Sequence, residues 1–281
     1  MVIAIRKLFR WLVLALFLSC LPLIAVSRSI CVDIVVSWKI RPYIVMANAM
    51  SDHLNVSSRL FVIDDENHTL KLLESRSCKV VVAVGHRAFL LVSRLKRKCI
   101  KIYSMVLYPW EEPSYGEYLC GTSLDISGDY LALALNAIEA KRPCLLFFDR
   151  RLSRYVNGIS NHLKKKGFFP VVVRGRNPAD IDEVIKKIGN RVDSVFFVPD
   201  PALSAEDLIR QLTEVFMVRG KKVIGFNKIF LEEGAHAALI MDYEATGKVT
   251  ASAVKEAIAR GFCRSSFAVY KVITGETGVG K

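Results

Sequence analysis

The chain has 281 residues, 52% hydrophobic and 24% charged, which excludes a disordered polypeptide and is long enough for two compact lobes or one large α/β domain. Forty Lys and Arg against 27 Asp and Glu give a formal charge of +13, a balance that attracts nucleic acid, anionic lipid or an anionic solute. The seven cysteines form no Cys-x-x-Cys pair and no Cys/His cluster at zinc spacing, so no metal site is expected.

In chain order, Arg6, Lys7 and Arg10 precede an unbroken apolar run at 12–18, and the small residues Ala25 and Ser27 offer a cleavage site. Residues 1–27 therefore read as a secretory signal peptide, and the mature chain as exported to the periplasm. A retained membrane anchor competes with this reading, but Arg10, Ser19, Cys20 and Pro22 interrupt the stretch. Lipidation at Cys20 is a further alternative, opposed by the bulky Phe17 three positions earlier. Cleavage removes three basic and no acidic residues, so the charge falls from +13 to +10. Six cysteines remain in a compartment that permits disulfides.

Apolar runs rich in Val, Ile and Phe then alternate with amphipathic stretches, the rhythm of parallel strands joined by helices. The predicted strands are CVDIVVS (31–37), RLFVI (59–63), KVVVAVG (79–85), IKIYSMVL (100–107), CLLFF (144–148), FPVVVR (169–174), SVFFVP (194–199), KVIGFN (222–227) and AALIM (237–241). Nine strands exceed one comfortable sheet, and GTSLDISG at 121–128 breaks the rhythm. The prediction is an α/β fold of two doubly wound parallel-sheet lobes, the first 28–122 and the second 123–241, joined by hinge crossings. The acidic-aromatic WEEPSYGEY at 110–118 is read as a packed hinge loop, with a partner contact as the alternative.

Helix signals agree with this division. Tyr155, Ile159 and Leu163 lie at helical spacing ahead of Gly167, and Ser204 with Glu206 and Asp207 is predicted to cap a helix carrying Leu208, Leu212 and Val215. The basic runs Arg94, Lys96, Arg97 and Lys98, then 164–166, then Arg219, Lys221 and Lys222, stand at helix ends that the helix dipole favours. They read as solvated ends, and no nucleic-acid partner is expected.

The segments DIVVSWKIRPYIVMANAM, VVAVGHRAFLLV, IYSMVLYP, CGTSLDI, SVFFVPDPALSAEDLIRQL and KVIGFNKIFLEEGAHAALIMDYEATGKVTASAVKEAI occur in this order over about 31–260. Together they resemble ABC-transporter substrate-binding proteins of the type I periplasmic fold, in the branch that includes tryptophan and tyrosine uptake components. The resemblance implies that residues 242–262 return to the first lobe, leaving 263–281 as a C-terminal strand or extension. His86 after Gly85 and Pro201 after Asp200 depart from the small or Thr-rich strand ends usual in that family, so the resemblance does not name the solute. It also implies the sheet order 2-1-3-4, which places Cys31, Cys78 and Cys99 at neighbouring strand starts and predicts one bridge, Cys31–Cys78 or Cys78–Cys99.

Ligands of open parallel sheets bind beyond the carboxyl ends of the strands, which in a two-lobed protein face one another. The candidate ligand-binding residues are therefore Ser37, Tyr43, His86, Met105, Tyr108 and Ser123 from the first lobe, and Asp149, Asp200, Asn227 and Asp242 from the second. Asp200 and Asp242 suit an ammonium, Ser37 and Ser123 with helix N-terminal amides suit a carboxylate, and Tyr43, Tyr108 and Tyr243 suit an apolar wall. Replacing Asp200 by Ala is expected to weaken binding with little loss of stability.

No nucleophile elbow, His-Glu-x-x-His or Ser/His/Asp order is evident, so neither an enzyme nor a cofactor is predicted. The expected function is a monomeric receptor that binds a small-molecule solute and delivers it to an ABC permease. A ligand sensor for a membrane signalling partner is the alternative. A remote third reading rests on GETGVGK at 275–281, which reproduces the Gly-x-x-x-x-Gly-Lys core of a P-loop. The Ser or Thr and the helix that a working phosphate cradle requires do not follow it within the sequence.

Overall fold

A computed structural model of the chain describes residues 30–178, 181–203 and 205–275. The predicted leader with Cys20, the cap at Ser204 and residues 276–281 of the Gly-Lys stretch lie outside the described residues.

The first sheet contains β1 (Cys31–Val36), β2 (Ser57–Val62), β3 (Val80–Val84), β4 (Ile100–Val106), β5 (Cys120–Ser123) and β11 (Ser266–Phe267) in the order β11-β5-β4-β3-β1-β2, all parallel. The second contains β6 (Pro143–Phe147), β7 (Val171–Arg174), β8 (Ser194–Phe197), β9 (Lys222–Gly225), β10 (Ala237–Met241) and β12 (Tyr270–Thr274) in the order β12-β10-β9-β8-β6-β7. β12 runs antiparallel to β10 at the edge. Apart from the late strands β11 and β12, the two lobes wind identically. The β-branched runs are continuous because both faces of each sheet are covered: all five residues of β3 are buried.

Helices α1 (Arg41–His53) and α9 (Tyr243–Arg260) cover one face of the first sheet, where Met46, Met50, Val254 and Ala257 meet Val32, Ile34 and Val82. On the other face Leu73 of α2 (Glu66–Glu74) and Phe89 and Val92 of α3 (His86–Ser93) pack on Val35, Val81 and Ala83. In the second lobe α4 (Gly128–Ala137) and α5 (Ser153–Lys165) pack on one face, and α6 (Ile181–Ile188), α7 (Glu206–Val218) and α8 (Lys228–Glu232) on the other. Each fully buried Val, Leu, Ile, Phe or Met contributes roughly 1.5–3 kcal/mol of transfer free energy. α9 approaches α1 closely enough that a Cβ on Gly247 would lie 2.5 Å from the carbonyl oxygen of Met46, so glycine sets the distance between these helices.

Three crossings join the lobes and are bonded to one another. Ala268 donates to the Ser123 carbonyl at 2.7 Å, Asp242 N–H to the Val269 carbonyl at 2.8 Å, and the Tyr270 hydroxyl to the Leu124 carbonyl at 2.5 Å. The GTSLDISG stretch that breaks the strand rhythm is β5 followed by the first of these crossings. FAVYKVITG divides between β11 in one sheet and β12 in the other.

Of the two anticipated bridges, Cys31–Cys78 forms. A second, Cys120–Cys263, ties β5 to the segment after α9. It was not anticipated because β5 is too short and too rich in Gly, Thr and Ser to read as a strand. Cys99 and Cys144 are free thiols, half-buried and buried. Three of the basic helix-end residues are engaged in the fold instead of solvated: Lys221 and Lys222 donate to the Val192 and Ile138 carbonyls, and Arg97 reaches the fully buried Asp33 of β1 at 3.3 Å, where Arg76 reaches the same carboxylate at 2.7 Å. A carboxylate inside a sheet needs such partners, since an unpaired buried charge costs several kcal/mol.

Candidate functional site

The carboxyl ends of β3 and β4 meet those of β6 and β8 across a cleft of about 340 Å³. His86, Leu107, Tyr108, Glu111 and Glu112 line it from the first lobe, and Asp149, Arg151, Leu152 and Pro201 from the second. Of the residues predicted from strand ends, the structure brings His86, Tyr108 and Asp149 together here.

β4 aims the first-lobe wall. Its pairing with β5 slips at Met105, which has φ +55°, and Tyr108 has φ +51°. Left-handed backbone at a residue other than glycine costs about 1–3 kcal/mol and is tolerated where surrounding packing holds it. The slip turns the chain into the single 3₁₀ turn Pro109–Glu111, which carries the two glutamates to the cleft. Tyr108 donates to the Pro199 carbonyl of the second lobe, while its ring lies 5.2 Å from Tyr155 and 5.9 Å from Trp110. Trp110 itself stays 37% exposed at the edge of this ring cluster, 6.2 Å from Tyr155.

From the second lobe, Asp149 binds Arg151 through both carboxylate oxygens at 2.6–3.2 Å. That hydrogen bonding lowers the Asp149 carboxyl below its ordinary range and raises the guanidinium, which Glu111 and Glu112 raise further. Opposite, His86 Nε2 stands 3.7 Å from the Glu112 carboxylate.

Among the other predicted residues, Ser37, Asp200, Asn227 and Asp242 have their polar groups engaged in the fold. Gly85 begins α3 at φ +83° and has no side chain to cap it. Ser37 supplies the cap from β1 instead, accepting from Ala88 N–H at 2.9 Å and donating to the Val84 carbonyl at 2.9 Å. A Cβ on Gly85 would lie 2.7–2.9 Å from Ser37 and Tyr43, so these two side chains pack against bare backbone. Burial raises the Tyr43 hydroxyl above its ordinary range. Asp200 is 5% exposed and accepts three backbone N–H groups, from Phe148 and Asp149 at 2.8 Å and Ala202 at 2.9 Å. It stitches the end of β8 to the end of β6 behind the cleft wall. Asn227 and Asp242 are the N-caps of α8 and α9, accepting from Phe230 and Ala245. The Ala245 N–H, followed by Lys271 at 2.8 Å, holds the Asp242 carboxyl below its usual range. Met105 and Ser123 are buried.

Glu111, Glu112 and Arg151 escaped the strand-end reading, which stopped at Tyr108 and Asp149. The signal was present, because each lies within five residues of a predicted strand end. Beside the hinge, a larger cavity of about 590 Å³ is lined by Trp110, Ile126, Arg154, Tyr155, Ile159 and Phe267. It lies between the start of α4, the side of α5 and Phe267 at the end of β11, and Glu111 borders both spaces. Among the described residues no group of three or more His, Cys, Asp or Glu is placed to hold a metal ion, and no helix is long and apolar enough to cross a membrane.

No protein-family model matches the chain, and no curated protein matches it. Solved structures do. A ligand-free, open substrate-binding protein with adhesive properties from Clostridium difficile is 14% identical, with a TM-score of 0.68 over 89% of this chain and 95% of that one. The XylFII–LytSN complex gives a TM-score of 0.62 at 9% identity, over 88% of this chain and 98% of that one. An ABC-transporter solute-binding protein from Burkholderia graminis in complex with D-arabinose gives 0.53 at 12% identity, over 90% and 97%. Two identically wound lobes, three bonded crossings and these likenesses establish that the chain has the type I periplasmic-binding-protein fold.

Proposed function

We propose that the chain is an exported receptor that closes on a small solute and presents it to an ABC permease. The observation that carries this reading is the cleft at the meeting strand ends, lined from both lobes and spanned by the Tyr108–Pro199 hydrogen bond. Such a site is emptied and filled by rotation about the crossings, and a solute touching both walls favours the closed arrangement by its differential contacts. Export is supported by the basic-then-apolar leader and by two disulfides, which persist in oxidising compartments. His86, Tyr108 and Asp149 are the proposed contacts among the residues predicted from sequence; Asp200 and Ser37 act by holding the loops that carry them. The receptor acts as a monomer without a cofactor.

The test combines thermal shift against amino acids, sugars, organic anions and cations with small-angle scattering on each hit. A solute that raises the melting temperature and lowers the radius of gyration supports the proposal. A shift with ATP and magnesium alone overturns it. A sensor role is the second reading, favoured by the fold shared with the XylFII–LytSN complex; it predicts that the liganded protein binds a membrane sensor and does not stimulate a permease.

A further inference from the structure

On the receptor reading, we infer that the cleft selects an organic cation, whose positive end lies between Glu111 and Glu112 and whose apolar part lies on Leu107, Tyr108 and Leu152. The cleft opposes the charge of the rest of the chain. Its lining holds three carboxylates, Glu111, Glu112 and Asp149, against one guanidinium, Arg151, a net of −2 in a chain of +13. The guanidinium is already matched: Asp149 binds it through both oxygens at 2.6–3.2 Å. This leaves two carboxylates on adjacent residues at the lip of the first lobe. Glu112 has His86 at 3.7 Å, beyond hydrogen-bond distance; the Glu111 carboxylate, exposed at the rim, makes no hydrogen bond or ion pair among the described residues, and Arg151 reaches the two glutamates only through its field. Neighbouring like charges repel, and in a partly enclosed cleft a cation between them relieves that repulsion as well as gaining two attractions.

The site does not suit a bare metal ion, because its carboxylates do not converge as ligands. An ammonium or guanidinium group on an aliphatic body fits better. The charged end donates charge-assisted hydrogen bonds in two directions, and the body covers Leu107, Leu152 and the Tyr108 ring. The net positive surface outside the cleft repels such a solute at long range, so specificity rests on the contacts within the cleft instead of on steering.

The experiment uses the full chain and a charge series in one calorimetric and thermal-shift assay: putrescine, L-arginine and choline as cations, L-leucine and D-ribose without net charge, L-glutamate and citrate as anions. Expected is binding by at least one cation, weakened tenfold or more by Glu111→Gln or Glu112→Gln and weakened by raised salt, with both variants melting like the wild type when unliganded. Binding of only an uncharged or anionic solute, with lobe closure by scattering, overturns the charge assignment and leaves the receptor reading standing. A cation that binds both variants as well as the wild type overturns the placement at Glu111 and Glu112. Silence across the whole series overturns the receptor reading with it.

Discussion

Tyr108 of the first lobe donates its phenolic hydrogen to the backbone carbonyl of Pro199 in the second, and both residues are buried. The bond spans the cleft that a solute must enter, so the arrangement of the lobes depends on it. Replacing Tyr108 by Phe keeps the ring against Tyr155 and Trp110 but leaves the Pro199 carbonyl without this donor. The expected outcome is a loss of about 1–3 kcal/mol in denaturant unfolding and a larger radius of gyration for the unliganded protein. If scattering and stability both match the wild type, the bond does not hold the lobes.

Asp200 is predicted to be a structural residue whose loss is felt in folding. Sequence reasoning expects Asp200→Ala to weaken binding with little change in stability. The structure reverses the weighting, since alanine would strand the buried N–H of Phe148 and the part-buried N–H groups of Asp149 and Ala202. A cost of about 3 kcal/mol or more is expected in urea unfolding, with Asp200→Asn intermediate because it keeps one acceptor oxygen. A stable Asp200→Ala protein that fails to bind solute would restore the ligand role.

The contrast shows what was legible in the chain. The strands were visible wherever Val, Ile and Phe run unbroken, as in β3, because burial on both faces demands it. β5 was not visible, since Gly121, Thr122 and Ser123 fit between β4 and β11 by smallness: a Cβ on Gly121 would lie 2.4 Å from Tyr103. At the strand ends, sequence identifies residue types suited to ligands. It does not separate those facing the cleft, such as His86 and Asp149, from those spent on the fold, such as Ser37 capping α3 from another strand. That difference depends on long-range pairs like Ser37 with Ala88, which no local pattern encodes.

The two disulfides are expected to contribute unequally. Cys31–Cys78 spans 47 residues and joins neighbouring strand starts, whereas Cys120–Cys263 spans 143 and fixes the segment that returns from α9 to the first sheet. Loop-closure entropy gives about 4 kcal/mol for the first and about 5 kcal/mol for the second. The double Ser variant of Cys120 and Cys263 should therefore unfold at lower denaturant than that of Cys31 and Cys78. Intact mass after alkylation without reduction should show Cys99 and Cys144 as the modified positions among the described residues. Alkylation of Cys120 or Cys263 under those conditions would remove the second bridge.

Asp125, in the first crossing, should make stability fall as pH rises toward neutrality. The residue is fully buried; its Oδ1 accepts from Tyr108 N–H at 3.2 Å and its Oδ2 has no hydrogen-bond partner. Burial pushes its carboxyl up to about 7, against smaller lowering by the Ser123 hydroxyl and the Tyr108 N–H. Between about pH 4 and 7 the folded protein keeps this proton while the unfolded chain has released it, so unfolding releases a proton and stability drops with rising pH. The contribution is full below about pH 4, lost progressively up to about pH 7, and roughly 4 kcal/mol in all. The tyrosines facing the carboxyl, Tyr108, Tyr155 and Tyr270, are raised above their ordinary range by burial and remain neutral throughout. Asp125→Asn is permanently neutral and keeps an acceptor for Tyr108 N–H. Its unfolding free energy should lack this decline, and the difference from the wild type between pH 4.5 and 7.5 isolates Asp125 from groups common to both proteins. Parallel pH profiles for the two proteins would mean that Asp125 is ionised in the folded hinge.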